Sequence, residues 1–531
     1  MSLVTGDNIN IKLKTRRRGL LSDGITGISE LSALDLEGAE IEKTGTTGAK
    51  DFVVDGKPVN ITSITMVVSM LCTITNKMST DTLARRYFDM FAPQGHVTLQ
   101  KYHATCSYNK LLFLPENNII VDNITLPCTG TYNKVQYDSA NLCTGNEIYG
   151  WMNDALAQAK ARKIDISKYK RRILILPFRK KCPWAGLASV GCTSSCMTWI
   201  NNSPTSPEIS MPTLFQELAH NIGLMHSNKE EKFVSIEYGD CTDPMGCGGP
   251  NPTRLLTTMT CINGPQQYKA GWAKPTTNGQ IDFSQIEEGI PVVRVIPSMS
   301  VSDSNMIRIK VSDLPPLSST PQQHAIFITY RTRQPDPGFD SGLTNDMTHK
   351  VYIHTYNITI RSPPRPDPSF TPFKPMLLAV LDPSATSQSA IKNMGGFPIK
   401  KQISWWFDTE HSGLNIKVVS RNDTEAIVSL CKYTMLTETS MDDCIDGVDN
   451  DCNGLIDADD PACFEVLGIP AFPPPLHPPL PPSPRPPRPL PPAPKYSRSP
   501  SPQKKMPPLP PKRRKSPPSP PRPPLPPPKL P

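Results

Sequence analysis

Two imidazoles, an amide and a carboxylate stand at fixed spacing in Phe215–Ser227, which reads FQELAHNIGLMHS. The residues that could do chemistry are Gln216, Glu217, His220 and His226, with Gly223 between the two histidines. On a helix, residues four apart share a face, so Gln216 and His220 point the same way and Glu217 lies one step around. Gly223 has no Cβ and can turn the chain sharply, which would return His226 to the same point. Gln216, His220 and His226 would then hold a metal ion and leave a fourth position for water, with Glu217 beside it as general base. Zinc is the expected metal. Copper is the alternative, because the amide oxygen of Gln216 binds zinc more weakly than an imidazole does. A metal that lowers the pKa of its water to about 7 and polarises a carbonyl leads to hydrolysis of peptide bonds.

The elements around this stretch read as an α+β layout. Asn60–Thr75 and Arg172–Phe178 are apolar and β-branched, as buried strands are. Thr80–Met90 and Glu147–Arg162 read as helices, and Leu111–Leu126 as two short strands around a turn. Pro212 suits the first turn of the motif helix. Downstream, Gly239–Cys247 reads GDCTDPMGC. Met245 fits the tight turn that metzincin proteases place beneath their metal, where the Met packs and does not ligate. Cys247 stands where some such enzymes carry a Tyr. From about Ile281 to Tyr433 short strands alternate with Pro, Asp and Ser turns, as in an all-β sandwich, with no polar cluster suited to catalysis. The expected organisation is a leader or pro-segment at 1–59 and a zincin- or metzincin-like catalytic domain at 60–275. A β-sandwich-like module at 276–436, a Cys- and Asp-rich loop at 437–466 and a disordered Pro-rich tail at 467–531 follow.

Bulk composition narrows the function classes. Of 61 Pro, 31 fall within Pro470–Pro531. The net charge of +8 is misleading, because Gly468–Pro531 carries 12 Lys and Arg and no acid. The rest is near −4 (+8 less +12), which argues against a nucleic-acid partner. No run is apolar and long enough to span a membrane. The 14 Cys lack paired zinc-ribbon spacing and point to disulfides in an oxidising compartment. Sequons at Asn60, Asn123, Asn201, Asn357 and Asn422 agree with secretion. The N-terminus as given shows no signal peptide. Lys14–Arg18 reads as a solvated charge run, with a processing site as the alternative.

Several segments together resemble the gametolysin family, secreted matrix-degrading metalloproteases of volvocine green algae. They are Cys106–Tyr108 (CSY), Leu126–Cys128 (LPC), Cys182–Cys192 (CPWAGLASVGC), the QELAHNIGLMHS helix, the DPMGC turn and Tyr268–Trp272 (YKAGW). Ala325–Thr332, Gly338–Leu343 and Val351–Tyr356 resemble the family's later β region. The resemblance runs from about residue 60 to 435. It implies a zincin-like domain with Gln216, His220 and His226 as ligands, Glu217 as base, and Hyp-rich matrix glycoproteins as substrates. It also implies a proenzyme, although 1–59 holds no Cys to ligate the metal. This family admits Gln at the first ligand position.

A second metal signal lies in Asp442–Cys463 (DDCIDGVDNDCNGLIDADDPAC). Asp449, Asp451, Asn453, Gly454, Asp457 and Asp460 fall at positions 1, 3, 5, 6, 9 and 12 of an EF-hand-like calcium loop. The tail, with runs such as SPPSPPRPPLPPP, should be polyproline II. In a secreted protein its Ser-Pro repeats would tie the chain to the extracellular matrix. The rival readings are a structural matrix protein that has lost activity, and a Pro-rich interaction protein.

Overall fold

Alternation in the first apolar strand organises one half of the protein. In β1 (Ser63–Met70), Ile64, Met66 and Val68 face one side of a sheet and Val67 faces the other. The computed structural model describes residues 7–12, 40–46, 58–72, 76, 78–191, 195–201, 209–231, 234–247, 256–311, 323–358, 374–383, 390–391, 399–402, 404–408 and 413–469. The Pro-rich tail from residue 470, the segment Lys14–Arg18 and most of the expected leader lie outside them. Within the leader, Asp7–Lys12 pairs antiparallel with Glu40–Thr46.

After β1 come α1 (Thr80–Tyr87), α2 (Leu99–Cys106), β2 (Asn118–Leu126) and α3 (Gly145–Ala161). β3 (Arg171–Leu176), β4 (Gly186–Ala188), β5 (Cys196–Asn201) and α4 (Met211–Asn221) complete this half. Five strands form a sheet in the order β4-β5-β3-β1-β2, parallel except for β4 at one edge. Parallel strands joined by helices are covered on both faces, which is why β1 and β3 are buried nearly throughout. On one face Ile64, Met66, Leu174 and Leu176 pack with Trp151, Met152, Ala155 and Ala159 of α3. On the other, Val67, Ile173 and Ile175 join Leu83 and Tyr87 of α1, Tyr102 of α2 and Leu214, Phe215 and Leu218 of α4. Burial of each such Leu or Ile stabilises the fold by about 2 kcal/mol.

The chain then forms β6 (Asn228–Glu231), β7 (Val234–Ile236), α5 (Gly264–Lys269), β8 (Lys274–Asp282) and β9 (Val292–Pro297). β10 (Ser304–Val311), β11 (Gln323–Arg331), β12 (Lys350–Ile358) and β13 (Met376–Leu381) follow. The last strands are β14 (Ser404–Asp408), β15 (Gly413–Arg421) and β16 (Glu425–Tyr433). A nine-stranded sheet runs β7-β6-β13-β12-β11-β10-β8, with Ala390–Ile391 and Ile399–Gln402 attached beside β13. A four-stranded antiparallel sheet runs β9-β16-β15-β14. Ile307, Ile309, Ile326, Ile328 and Ile353 share a core with Leu414, Ile416, Val428 and Leu430, so the two sheets pack face to face. β6 and β7 lie before residue 275 in sequence yet belong to the larger sheet. β6 runs parallel to β13, with Asn228 opposite Met376.

Disulfides Cys106–Cys261, Cys143–Cys182, Cys241–Cys247, Cys431–Cys452 and Cys444–Cys463 cross-link the structure. Among the sequons, Asn60, Asn123 and Asn422 are exposed. Asn201 is buried, and its amide donates to the carbonyls of Arg179 and Trp184. Among the described residues no helix is long and apolar enough to cross a membrane.

Candidate metal centre

Local sequence sets both ends of α4. Ser210 caps its N-terminus, accepting from the Thr213 N–H at 3.4 Å, and Pro212 occupies its first turn. At the other end Gly223 adopts φ +81°, and its N–H donates to the His220 carbonyl at 2.8 Å. That left-handed turn ends the helix and sends the chain back. Lys269 of α5 fixes the turn, its Nζ donating to the Gly223 carbonyl at 2.6 Å.

The turn brings the two histidines together. His220 Nε2 and His226 Nε2 are 3.1 Å apart. The other nitrogen of each ring is already engaged: His220 Nδ1 donates to the Leu224 carbonyl at 2.8 Å, and His226 Nδ1 to Glu237 Oε1 at 2.7 Å. Each ring therefore keeps its lone pair on Nε2. Burial holds both rings neutral, pushing His220 down to about 4 and His226 below its usual value. A cation set between the two Nε2 atoms would take both lone pairs as ligands. Nitrogens bound to tetrahedral zinc at about 2.0–2.1 Å stand roughly 3.3 Å from one another. The residues present thus fit a metal. Gln216 lies one turn before His220 on α4, half-buried, and its amide has no hydrogen bond to a described residue.

Glu217 is 5% exposed and accepts no hydrogen bond from a described residue; burial pushes its carboxyl up to about 8. It packs against the edge strand β4. A Cβ added to Gly186 would come within 2.5 Å of Glu217 Oε1, so only glycine leaves the carboxyl room there. Met245 is fully buried in the core beneath α4, with Leu214, Phe215 and Ile222. Its turn is closed by Cys241–Cys247, and the Met245 N–H donates to Asp243 Oδ1 at 2.7 Å.

The β-rich half anchors this turn. Buried Arg331 holds Asp340 through two bonds of 2.6 and 2.8 Å and donates to the carbonyls of Thr242 and Cys261. His354 lies 3.0 Å from Asp240. The β-rich half, where no polar cluster suited to catalysis was expected, also supplies Lys374, whose Nζ lies 2.5 Å from Glu237 Oε1. Lys374 and His226 together hold the Glu237 carboxyl below its ordinary range. Such an outer partner fixes the ring and tautomer of a ligand histidine. Tyr238 is a further neighbour that the sequence did not indicate, its ring centroid 3.9 Å from that of His226 and its Oη 2.8 Å from Nε2. No spacing rule points to Glu237, Tyr238 or Lys374. The Cys pair flanking Met245 was a visible signal for the closed turn.

Of the acidic-loop residues, Asp449, Asp451 and Asp460 are buried together. Asn453 turns its amide nitrogen toward Asp451 and Asp460. Asp457 instead accepts from the Gly447 N–H at 3.0 Å. Gly454 makes the sharp bend at φ +97°.

Comparison with known proteins gives this frame a class, the metalloproteases. The chain belongs to the gametolysin peptidase M11 family, whose sequence model matches residues 62–369. Over 491 residues it is 28% identical to the autolysin of Chlamydomonas reinhardtii, an alignment covering 78% of this chain and 72% of that one. Among solved structures, OgpA from Akkermansia muciniphila aligns over 58% of this chain and 92% of its own, at 13% identity. Its TM-score of 0.24 is too low to bear on the fold.

Proposed function

We propose that the protein is a secreted, zinc-type metalloendopeptidase that cleaves Hyp-rich glycoproteins of an extracellular matrix or cell wall. Gln216, His220 and His226 would hold the metal, which when bound would supply an activated water and a polarised carbonyl. Glu217 takes the water's proton and passes it to the leaving amine. Glu237 and Lys374 orient His226, and Met245 supports α4 from below. Among the described residues β4 is an edge strand of its sheet and lies against Glu217, so an extended substrate can add to it beside the carboxyl. Membership of the gametolysin family and the Ser-Pro-rich tail support the matrix setting and matrix association, and the disulfides support secretion.

The observation that carries the reading is the 3.1 Å approach of two Nε2 atoms whose Nδ1 protons are both committed elsewhere. The test uses purified chain, a gelatin-like and a Hyp-rich substrate, and a chelator. Cleavage should stop on chelation, return with zinc, and be absent in Glu217→Ala. No cleavage with any added metal, or cleavage that survives Glu217→Ala, favours the inactive matrix protein instead. Metal analysis decides between zinc and copper at Gln216.

A further inference from the structure

Four acids are buried where the chain leaves the smaller sheet. Glu438 is 0% exposed, Asp460 2%, Asp449 4% and Asp451 5%. One carboxylate oxygen from each of Glu438, Asp449 and Asp451 lies within 4.8 Å of the other two. No described lysine or arginine pairs with any of the four. Two of their oxygens also lack a donor among the described residues. Asp449 Oδ2 accepts from the Gly454 N–H at 2.9 Å, but Oδ1 is buried with no partner. Glu438 Oε1 accepts from the Asn450 N–H at 2.7 Å, whereas Oε2 faces Cys463 Sγ at 3.5 Å. That sulfur is bonded to Cys444 and has no proton to give.

Buried carboxylates without a counter-charge are costly, and a cation or a proton must offset them. Burial first, and the neighbouring acids in addition, push Glu438, Asp449 and Asp451 above the ordinary carboxylate range. All the donors are hard oxygens. Calcium bonds of about 2.3–2.6 Å span such a group more readily than the tight octahedron of magnesium.

We propose that Glu438, Asp449 and Asp451, closed by Asp460, bind one calcium-class divalent cation that locks residues 434–469 onto the four-stranded sheet. The attachment points are in place. Cys452 is bonded to Cys431 of β16, and the Thr434 N–H donates to the Asn450 carbonyl at 3.1 Å. Gly289 passes so close beneath that an added Cβ would clash with Val448 and the backbone of Asp449. The ligand set differs from the loop pattern in sequence. Glu438 enters from outside the loop, and the carboxyl of Asp457 turns away to Gly447.

The test uses the full chain with its catalytic metal restored in calcium-free buffer. Calorimetric titration should find one calcium ion per chain, with a rise in thermal midpoint. Asp449→Asn and Glu438→Gln should each weaken binding by about tenfold or more, whereas Asp457→Asn leaves it nearly unchanged. The two neutralising variants should melt at or above wild type without calcium, because each deletes an uncompensated charge, and below it with calcium. Failure of wild type to bind calcium overturns the proposal, as does binding in either variant equal to wild type. Variants that melt lower than wild type in both buffers overturn it too, because the carboxylates would then serve the fold without a cation.

Discussion

His220 and His226 are neutral groups gathered beside one buried acid, whereas Glu438, Asp449, Asp451 and Asp460 are four buried acids with no base among the described residues to pair with them. The first arrangement is held by ordinary secondary structure: a capped helix, a glycine turn and a packed methionine. The second lies in a segment that has only short 3₁₀ turns and is held by two disulfides, one within it and one to Cys431 of β16. Neutral ligands pay little for waiting without an ion, so a helix suffices to present them. Carboxylates forced together repel, and covalent links keep the chain from springing open.

The contrast predicts that the two centres fail independently. His226→Ala should remove the catalytic metal and lower peptide hydrolysis by on the order of 10³-fold or more. The calcium-dependent rise in melting temperature should survive intact. Metal content, kcat/KM and a melting curve with and without calcium read both centres in one preparation. Joint loss of the two responses would break the comparison. Glu237→Gln tests the next shell. It keeps the shape but weakens the acceptor that orients His226, so metal affinity should fall about 10–100-fold. Competition with a metal-binding dye measures this, and unchanged affinity would remove Glu237 from the positioning role. A smaller effect is expected at the edge strand. In Gly186→Ala the new methyl displaces the Glu217 carboxyl, and kcat should fall roughly tenfold at normal metal content. A change confined to KM would instead assign Gly186 to substrate binding alone.

The two regions also differ in how far sequence reveals them. Helical spacing is a short-range rule, so the run FQELAHNIGLMHS is enough by itself to place Gln216, Glu217 and His220 side by side, and the strands and helices around it follow from their apolar patterns. Glu237 and Lys374 escape that rule: β6 pairs with β13, and this long-range pairing brings the chain near Lys374 beside a residue more than a hundred positions earlier. The larger sheet crosses the border expected at residue 275 for the same reason: local composition changes there, while β6 and β7 pair into the sheet from before it. In the acidic loop the twelve-residue pattern indicated Asp449, Asp451 and Asp460. It could not indicate Glu438, which enters the cluster beside Cys463, nor the hydrogen bond that diverts Asp457.

One cation distinguishes the histidine half from the acidic one at the level of titration. Lys269 is half-buried with its Nζ on the Gly223 carbonyl, at the turn that returns His226, and desolvation pulls its pKa down to about 8. The unfolded chain keeps that proton to about pH 10.4. Between these values the unfolded state binds more protons, so stability rises with pH across the window, by at most roughly 3 kcal/mol. Below pH 8 the partly desolvated ammonium is a standing cost. Urea midpoints measured from pH 8 to 10 should therefore climb in wild type against the background of the other groups. Lys269→Met should lose that part of the slope. The methionine also leaves the Gly223 carbonyl without its donor, so the variant's absolute stability is not the readout; the difference in slope is. Equal slopes in the two proteins would show that Lys269 reaches solvent when charged, and that the histidine half, like the acidic cage, buries no lysine cation of its own.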